Sequence, residues 1–419
     1  MPENPFRRTR FACFFAYLAM SSVFVLPPML LTTFRQLYGI SFTLLGTLIV
    51  VNFCTQMAID LIFTFFAHWF NIRLTIRLMP LLTALGLCLY ALIPTAFPQY
   101  AFAGLVAGTV VFSTAAGLCE VLLSPLVAAI PSENPQKDMS LLHSLYGWGV
   151  VSVTVLSSGY FALFGTENWV YLTLGLAVLP LIASILFFFS PIPDMGLSGP
   201  EKAKTPMVRN KMLWLCVCCI FLGSCSENVM TNWISGYMEL ALQIPKELGD
   251  ILGLAGFALL LAVTRGVYAK YTPNISKILL LGMAGATVCY LAAGLVQNSL
   301  ISFAACVLTG VCTSMLWPGT LILMEETIPS AGVAAYALMA AGGDFGASFA
   351  PQLMGIVADQ VAAHPTIVTL SQSLSVTPEE IGLKAGMLLA AIFPLLGVFL
   401  LLYIRRQLSA SRTAAVSRK

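Results

Sequence analysis

The segment Gly223–Met238 reads GSCSENVMTNWISGYM and places polar side chains in the middle of an otherwise apolar run. It carries a carboxylate, Glu227, together with two carboxamides, several hydroxyls, a tryptophan and a tyrosine. An ionised side chain at the centre of a membrane helix costs about 3 kcal/mol, so it seldom occurs there without a partner or a task. We therefore predict that this segment belongs to a membrane-spanning helix whose polar face serves a function.

The composition of the whole chain supports a membrane setting. Of its 419 residues, 58% are hydrophobic and 9% are charged, whereas a soluble domain carries about 25% charged residues. A membrane helix needs about 20 mainly apolar residues, and segments of that length recur along the chain. The predicted fold class is an all-α polytopic membrane protein with twelve spans in two six-helix bundles, over residues 11–33, 43–66, 75–97, 99–126, 139–164, 169–190, 211–238, 248–269, 276–296, 298–324, 331–358 and 382–404.

The distribution of lysine and arginine indicates the orientation. With the N-terminus inside, only Arg35, Lys246 and Lys384 of the 21 lysines and arginines fall outside. Cytoplasmic loops carry the excess of basic residues in membrane proteins. We therefore expect both termini in the cytoplasm and an even number of spans. The same asymmetry accounts for the net charge of +3, so no nucleic-acid partner is expected.

A polar segment rich in proline and glycine, residues 191–210, separates the two sets of spans. Such a composition is typical of a linker. The predicted domains are a first bundle over 1–190, a cytoplasmic linker over 191–210 and a second bundle over 211–419. A weak internal repeat supports this division, because Ala67–Arg73 after the second span aligns with Ala269–Ile275 after the eighth.

The sequence offers no cluster typical of an enzyme or of a metal site. All 11 cysteines fall within predicted spans, and the group Cys216-Val-Cys218-Cys219 has no histidine nearby. We interpret the cysteines as small side chains of the membrane core, without disulfides. Because the chain has neither a Gly-x-Ser-x-Gly motif nor a soluble domain, we expect no enzymatic activity, no metal and no cofactor other than a coupling ion, H⁺ or Na⁺.

Polar groups inside membrane helices favour a transport function, and Glu120 is the first candidate for a group that couples transport to proton movement. It lies in the fourth predicted span, with Ser124 one turn further on, and Pro125 frees a backbone carbonyl near the carboxylate. A carboxyl in apolar surroundings can take up and release a proton during a transport cycle. The alternative interpretation is a structural carboxyl that stays protonated or pairs with an arginine.

Two further residues are candidates for the coupling role. His143 precedes Gly147 and Gly149 in the fifth predicted span, and small residues allow a neighbouring helix to approach closely. His143 could then form a hydrogen bond with Glu120 or with a ligand hydroxyl. The alternative is that His143 lies at the cytoplasmic end of its helix. Glu227 is the third candidate.

Four side chains of the seventh span are predicted to bind substrate. At 100° per residue, Asn228 and Asn232 lie to one side of the carboxylate, and Trp233 and Tyr237 lie on the other flank. Carboxamides give directional hydrogen bonds and aromatic rings give a stacking surface, which is what a small polyol needs. Because this arc is wide for one straight helix, we expect a bend or unwinding near Gly236. The alternative is that the asparagines join neighbouring helices.

Other polar residues near predicted helix breaks or ends complete the candidate site. Trp317 precedes a proline in the tenth span, and Asp344 lies among glycines in the eleventh, so both are candidate substrate contacts. Asp344 could equally pair with a hydroxyl of the second bundle. Asp60, Glu325 and Glu326 lie towards cytoplasmic helix ends, and we assign them to gating.

Several of these motifs resemble a known family. Glu120 with Pro125 five residues later resembles the fourth-helix Glu-Thr-Ala-Ala-Asn-Pro motif of the fucose, galactose and glucose proton symporters of the major facilitator superfamily. Leu316–Leu321 resembles their tenth-helix Met-Phe-Pro-Thr-Ile-Phe motif, and Leu142–Gly149 is similar to the related sodium-dependent glucose transporters. The resemblance implies that Glu120 is the protonation site. Val23 stands where the family has a first-helix aspartate, so a uniporter also stays open.

The sequence therefore predicts a secondary active transporter of the inner or plasma membrane, which imports a monosaccharide or similar polyol by symport with a proton or sodium ion. The alternative is a proton-coupled exporter of drugs or metabolites on the same fold. Such exporters usually carry a Gly-x-x-x-Gly-Pro motif in the fifth helix, and Ser140–Gly165 contains no proline. The expected partners are a small-molecule substrate and the lipid bilayer, and the expected state is a monomer.

Overall fold

The computed structural model describes residues 5–66, 69–132, 135–193, 195, 210–271, 274–328, 332–374 and 376–416. The regular elements of this part of the chain are all helical. The first half contains α1 (Arg7–Met29), α2 (Leu31–Tyr38), α3 (Phe42–Phe66), α4 (Ile72–Ala96), α5 (Ala101–Ala129), α6 (Pro135–Phe164) and α7 (Trp169–Phe188). The second half contains α8 (Lys211–Leu240), α9 (Lys246–Leu248), a π-helical segment (Gly249–Ala255), α10 (Gly256–Tyr271), α11 (Ile275–Leu295), α12 (Ser299–Thr313), α13 (Leu316–Thr327), α14 (Gly332–Ala363), α15 (Pro365–Leu374), α16 (Pro378–Ala390) and α17 (Ile392–Val416).

The helices are long and apolar enough to cross a bilayer. Eleven spans meet that test among the described residues, and a twelfth is added if the pair Leu338–Ala362 and Pro365–Ser373, bent by 72°, is one interrupted span. In hydrocarbon the backbone must satisfy its own hydrogen bonds, which helices do within each segment. The predicted all-α polytopic fold is therefore confirmed, while the predicted orientation of the termini stays a prediction.

The chain forms two compact units. The first comprises residues 1–202 together with 245–251, and the second comprises 203–244 together with 252–419. The predicted linker over 191–210 lies mostly outside the described residues, so the domain boundaries at 190 and 211 stay a prediction. The short segment that contains α9 belongs to the first unit although it follows α8 in the chain.

Two glycines set the distance between α4 and α5 in the first unit. A Cβ on Gly86 would lie 2.5 Å from the backbone nitrogen of Phe112, and a Cβ on Gly108 would lie 2.5 Å from that of Tyr90. The rings of Tyr90 and Phe112 meet edge to face at 5.6 Å. The backbone of each helix lies directly against a glycine of the other helix, next to an aromatic ring. The two helices therefore pack in direct backbone contact.

Prolines interrupt two spans of the second unit. α12 ends at Thr313 and α13 begins at Leu316, just before Pro318, while α16 ends at Ala390 and α17 begins at Ile392, just before Pro394. Proline lacks an N–H and its ring clashes with the carbonyl four residues earlier. Proline accounts for both breaks, although Pro125 in α5 and Pro351 in α14 lie inside continuous helices.

The predicted unwinding near Gly236 is wrong. α8 runs without interruption from Lys211 to Leu240, through Gly236. Gly236 is buried, and a single glycine costs a helix only about 1 kcal/mol, which packing readily offsets. The seventh span is therefore one continuous helix, while the predicted bend near Gly236 stays a prediction.

We expect Gly108→Ala to destabilise the first unit by about 1–3 kcal/mol, because the added methyl group would force the backbone of α4 away. The measurement is the thermal unfolding of the purified protein in detergent. Gly175→Ala in α7 is the matched control, since a Cβ there has nothing within 4 Å. Equal melting temperatures for the two variants would contradict the close approach of α4 and α5.

Candidate functional site

A polar seam joins α3 and α5 in the first unit. The side-chain oxygen of Asn52 accepts a hydrogen bond from Ser113 Oγ at 2.6 Å and from Gln56 Nε2 at 3.1 Å. One turn further along, a Cβ on Gly117 would lie 3.3 Å from the Cα of Gln56. The contact partners advance by four residues on both helices, so α3 and α5 run in the same direction along this seam.

The seam leads to two carboxyl groups at similar depth. Asp60 lies eight residues beyond Asn52 and Glu120 lies seven residues beyond Ser113, which are rises of about 12 and 10.5 Å at 1.5 Å per residue. Asp60 lies within electrostatic range of Glu120. Asp60 is half-buried and Glu120 is exposed, although both lie within membrane-spanning helices. The structure thus brings the predicted proton-coupling and gating acids of this unit together.

A tyrosine of α1 belongs to the same group. Tyr17 lies near Glu120, and its side chain is 6% exposed. Sequence reasoning missed Tyr17, because its position in an apolar run gives no signal of the neighbouring acid. Asn52, Gln56 and Ser113 were also missed. Asn52 and Gln56 precede Asp60 by eight and four residues, and Ser113 precedes Glu120 by seven, so these spacings indicate one face of α3 and one face of α5.

His143 lies in α6, but its side chain is outside the described residues. Its coupling role stays a prediction.

Glu227 has a basic partner in the second unit. Arg265 Nη2 of α10 lies 3.4 Å from Glu227 Oε1, with side-chain exposures of 41% and 20%. The sequence grouped Arg265 with the cytoplasmic charges at the end of its span, whereas the structure pairs it with a carboxylate in the middle of α8. Glu227 thus has a counter-ion within the membrane-spanning region, which offsets much of the cost of burying its charge.

The carboxamides of α8 bond within their own helix. Asn228 Nδ2 lies 3.1 Å from both the carbonyl and the hydroxyl oxygen of Ser224, and Asn232 Nδ2 lies 2.9 Å from the carbonyl oxygen of Asn228. Asn228 is half-buried and Asn232 is 8% exposed. Of the two, Asn228 offers the larger accessible surface to a ligand.

The aromatic residues of α8 tie helices together. Trp233 is 1% exposed and its Nε1 donates to the carbonyl oxygen of Pro351 in α14 at 3.1 Å. Tyr237 is 0% exposed and its hydroxyl donates to the carbonyl oxygen of Ala293 in α11. Both side chains are packed inside the second unit, which favours a structural role. Their contact with substrate stays a prediction.

Trp317 and Asp344 lie close to one another in the second unit. Trp317 is half-buried, and a Cβ on Gly343 would overlap its ring. Asp344 is the next residue and is also half-buried. Glu325 and Glu326 are exposed near the end of α13, in keeping with the predicted position at a helix end. Their gating role stays a prediction.

A buried charged pair in the first unit was missed by sequence reasoning. Lys246 Nζ lies 3.8 Å from Asp250 Oδ2, and the two side chains are 8% and 1% exposed. Lys246 Nζ also lies 3.3 Å from Thr32 Oγ1. The sequence counted Lys246 as an outside charge, while its spacing of four residues from Asp250 was the available signal of a pair on one helix face.

Among the described residues, no group of three or more His, Cys, Asp or Glu side chains could hold a metal ion.

Long apolar helices in two units, with polar and charged side chains within the spans, are typical of a polytopic membrane transporter.

The family is shown by the sequence itself. Residues 10–351 match the Major Facilitator Superfamily, so the chain belongs to this superfamily of transporters and is a multi-pass membrane protein. It is accordingly a transporter and not an enzyme. No curated protein sequence matches the chain at a significant level.

Solved structures share the fold. They include a bacterial homologue of the human lysosomal transporter Spinster, with 13% identity, a TM-score of 0.76 and coverage of 96% of this chain and 97% of that chain. The D-xylose-proton symporter has 13% identity, a TM-score of 0.75 and coverage of 92% and 96%. The nucleoside transporter NupG has 11% identity, a TM-score of 0.70 and coverage of 96% and 99%. At these identities the likeness concerns the fold alone.

We expect Trp233→Phe to lower stability by about 1–3 kcal/mol, because it removes the hydrogen bond from the indole N–H to the Pro351 carbonyl and leaves a cavity beside the smaller ring. Thermal unfolding measures the loss, and a substrate binding isotherm measures any effect on the site. If Trp233 instead contacts substrate, the isotherm will shift while the melting temperature stays the same.

Proposed function

We propose that this protein is a secondary active transporter that imports a monosaccharide or a similar small polyol across the inner or plasma membrane by alternating access. The observation that carries the proposal is the set of polar side chains within the membrane-spanning helices: two neighbouring acids, Asp60 and Glu120, in the first unit, and Asn228 with Trp317 in the second. Apolar membrane helices hold such groups only where they have partners or a task.

The residues of the second unit support a polyhydroxylated substrate. Asn228 and Asn232 are carboxamides, which both donate and accept hydrogen bonds, and Trp317 is a half-buried ring suited to the C–H face of a sugar. Among proteins of the same fold, one is named a D-xylose-proton symporter and another a nucleoside transporter. Asp344, beside the glycine that receives the Trp317 ring, completes this proposed group.

Symport with a proton is the proposed coupling mode, with Glu120 as the proton-binding group. Glu120 is a carboxyl group within a membrane-spanning helix, where such a group seldom occurs without a partner or a task, and Asp60 lies near it. Glu227, which has Arg265 as a counter-ion, becomes the weaker candidate. Sodium coupling and uniport are the competing modes. The proposed topology has both termini in the cytoplasm, and the proposed state is a monomer.

Export of drugs or metabolites with proton antiport is the second candidate function, because the fold serves both directions. Ser140–Gly165 contains no proline, unlike the fifth helix of such exporters, which favours import.

We expect Glu120→Gln to abolish uphill accumulation while sparing substrate exchange, because glutamine keeps the shape and polarity of the side chain but cannot release a proton. Uptake and counterflow into proteoliposomes with an imposed pH gradient measure the two activities. Glu167→Gln, in the loop before α7, is the matched control. Unaltered uphill uptake by Glu120→Gln would exclude the proposed role.

We expect Asn228→Ala to raise the half-saturation concentration for substrate about tenfold, since the loss of one hydrogen bond to a ligand hydroxyl costs on the order of 1–1.5 kcal/mol. Binding isotherms of the purified protein measure it. Asn168→Ala, which removes an exposed carboxamide beside α7, is the control. An isotherm identical to the wild type would assign Asn228 a structural role.

The substrate class itself is tested by a thermal-shift screen of the purified protein. Monosaccharides, polyols and organic acids are compared at two pH values, with and without sodium. Stabilisation by an organic acid but by no sugar would overturn the proposed substrate class, and stabilisation that requires sodium would overturn proton coupling.

A further inference from the structure

Arg265 of α10 contacts two groups on two other helices of the second unit. Its Nε donates to the carbonyl oxygen of Ser314 at 2.8 Å, and its Nη2 lies 3.4 Å from Glu227 Oε1. The guanidinium is a rigid planar fork, so the two contacts fix the position of each group relative to the other. One side chain thereby joins α8, α10 and the interruption between α12 and α13.

The Ser314 carbonyl needs this donor because of Pro318. In a continuous helix the carbonyl of residue 314 would accept the N–H of residue 318, which proline lacks. The helical bonding resumes one residue later, where Gly319 N–H donates to the carbonyl oxygen of Met315 at 2.8 Å. Ser314 is 1% exposed, so bulk water does not replace the missing donor. Arg265 supplies it.

The carboxylate of Glu227 also has Arg265 as its partner. Its second oxygen, Oε2, is buried and has no hydrogen-bond partner within the described part of the chain. Removal of the arginine would leave the half-buried carboxylate of Glu227 without its counter-ion and the buried Ser314 carbonyl without a donor. Such a loss is costly where water is excluded.

We propose that Arg265 is a positioning residue that couples the charge of Glu227 to the proline break of the tenth span. While Glu227 is ionised, it holds the guanidinium in the orientation that satisfies the Ser314 carbonyl, and the break keeps its geometry. When the charge of Glu227 is removed, the guanidinium keeps its hydrogen bond to the Ser314 carbonyl but loses one of its two restraints, so the geometry of the break is held less firmly. The part that concerns transport rests on the proposed function, whereas the coupling itself does not.

A double-mutant cycle between Arg265 and Pro318 tests the coupling without any substrate. Glu227→Gln is used as the background, so that loss of the arginine leaves no unpaired carboxylate. In this background we expect Arg265→Met to lower the melting temperature of the full chain. When Pro318→Ala is also present, the same substitution should lower it by roughly half as much or less, because the introduced alanine supplies a backbone N–H to the Ser314 carbonyl.

Pro394→Ala is the matched control for this cycle, because Pro394 also follows an interruption within the second unit. It should leave the effect of Arg265→Met unchanged. If Pro318→Ala does not reduce the effect of Arg265→Met, or if Pro394→Ala reduces it equally, the proposed link between Arg265 and the proline break is wrong.

Arg265→Lys keeps the charge and serves if the methionine variants fail to fold. A single ammonium cannot reach both groups in the forked geometry. We therefore expect Arg265→Lys to lower the maximal transport rate at least about fivefold, with the half-saturation concentration within about twofold of the wild type, and Pro318→Ala to restore part of that rate. A change in half-saturation alone, or no restoration, would overturn the positioning role.

The two hypotheses fail in different ways. If no sugar or polyol is transported by the wild type, the proposed substrate is wrong, and the melting-temperature cycle still decides the role of Arg265. If transport occurs but the cycle shows no coupling, the proposed function stands and the positioning role does not.

Discussion

The constraint on which this structure depends is that the hydrocarbon core offers no water to unpaired backbone groups. Where the helical ladder is broken or helices meet closely, side chains of this protein donate hydrogen bonds to backbone carbonyls of neighbouring helices. In the second unit, four side chains donate hydrogen bonds to backbone carbonyl oxygens. These are Arg265 to Ser314, Trp233 to Pro351, Tyr237 to Ala293, and Tyr290 to Ser226 at 2.7 Å. The large polar aromatics of this unit thus act as ties between helices.

The first unit uses a different solution. Its polar seam joins side chain to side chain, from Asn52 and Ser113 along α3 and α5 towards Asp60 and Glu120. Here the helices approach through glycine, with Gly117 over α3 and the pair Gly86 and Gly108 between α4 and α5.

The two central carboxylates consequently lie in opposite electrostatic settings. Glu120 has another acid as its neighbour, and Glu227 has a guanidinium. An acid beside an acid gains from binding a proton, whereas an acid beside an arginine already has a counter-ion. The two residues thus differ in their neighbours, although both carry the same side chain in helices of similar length.

The sequence by itself determined the class of protein, because the length of the apolar runs reflects bilayer thickness and proline reports a missing N–H. It therefore predicted the helical spans, the interruption before Pro318 and the presence of Glu120 and Glu227 at mid-span. Only the tertiary structure decided the partners of these groups. Arg265, a residue near a helix end in the sequence, reaches Glu227 because α8 and α10 are packed together, and Trp233 turns to Pro351 because α14 lies beside α8. A contact between distant segments depends on helix rotation and separation, which local periodicity does not encode.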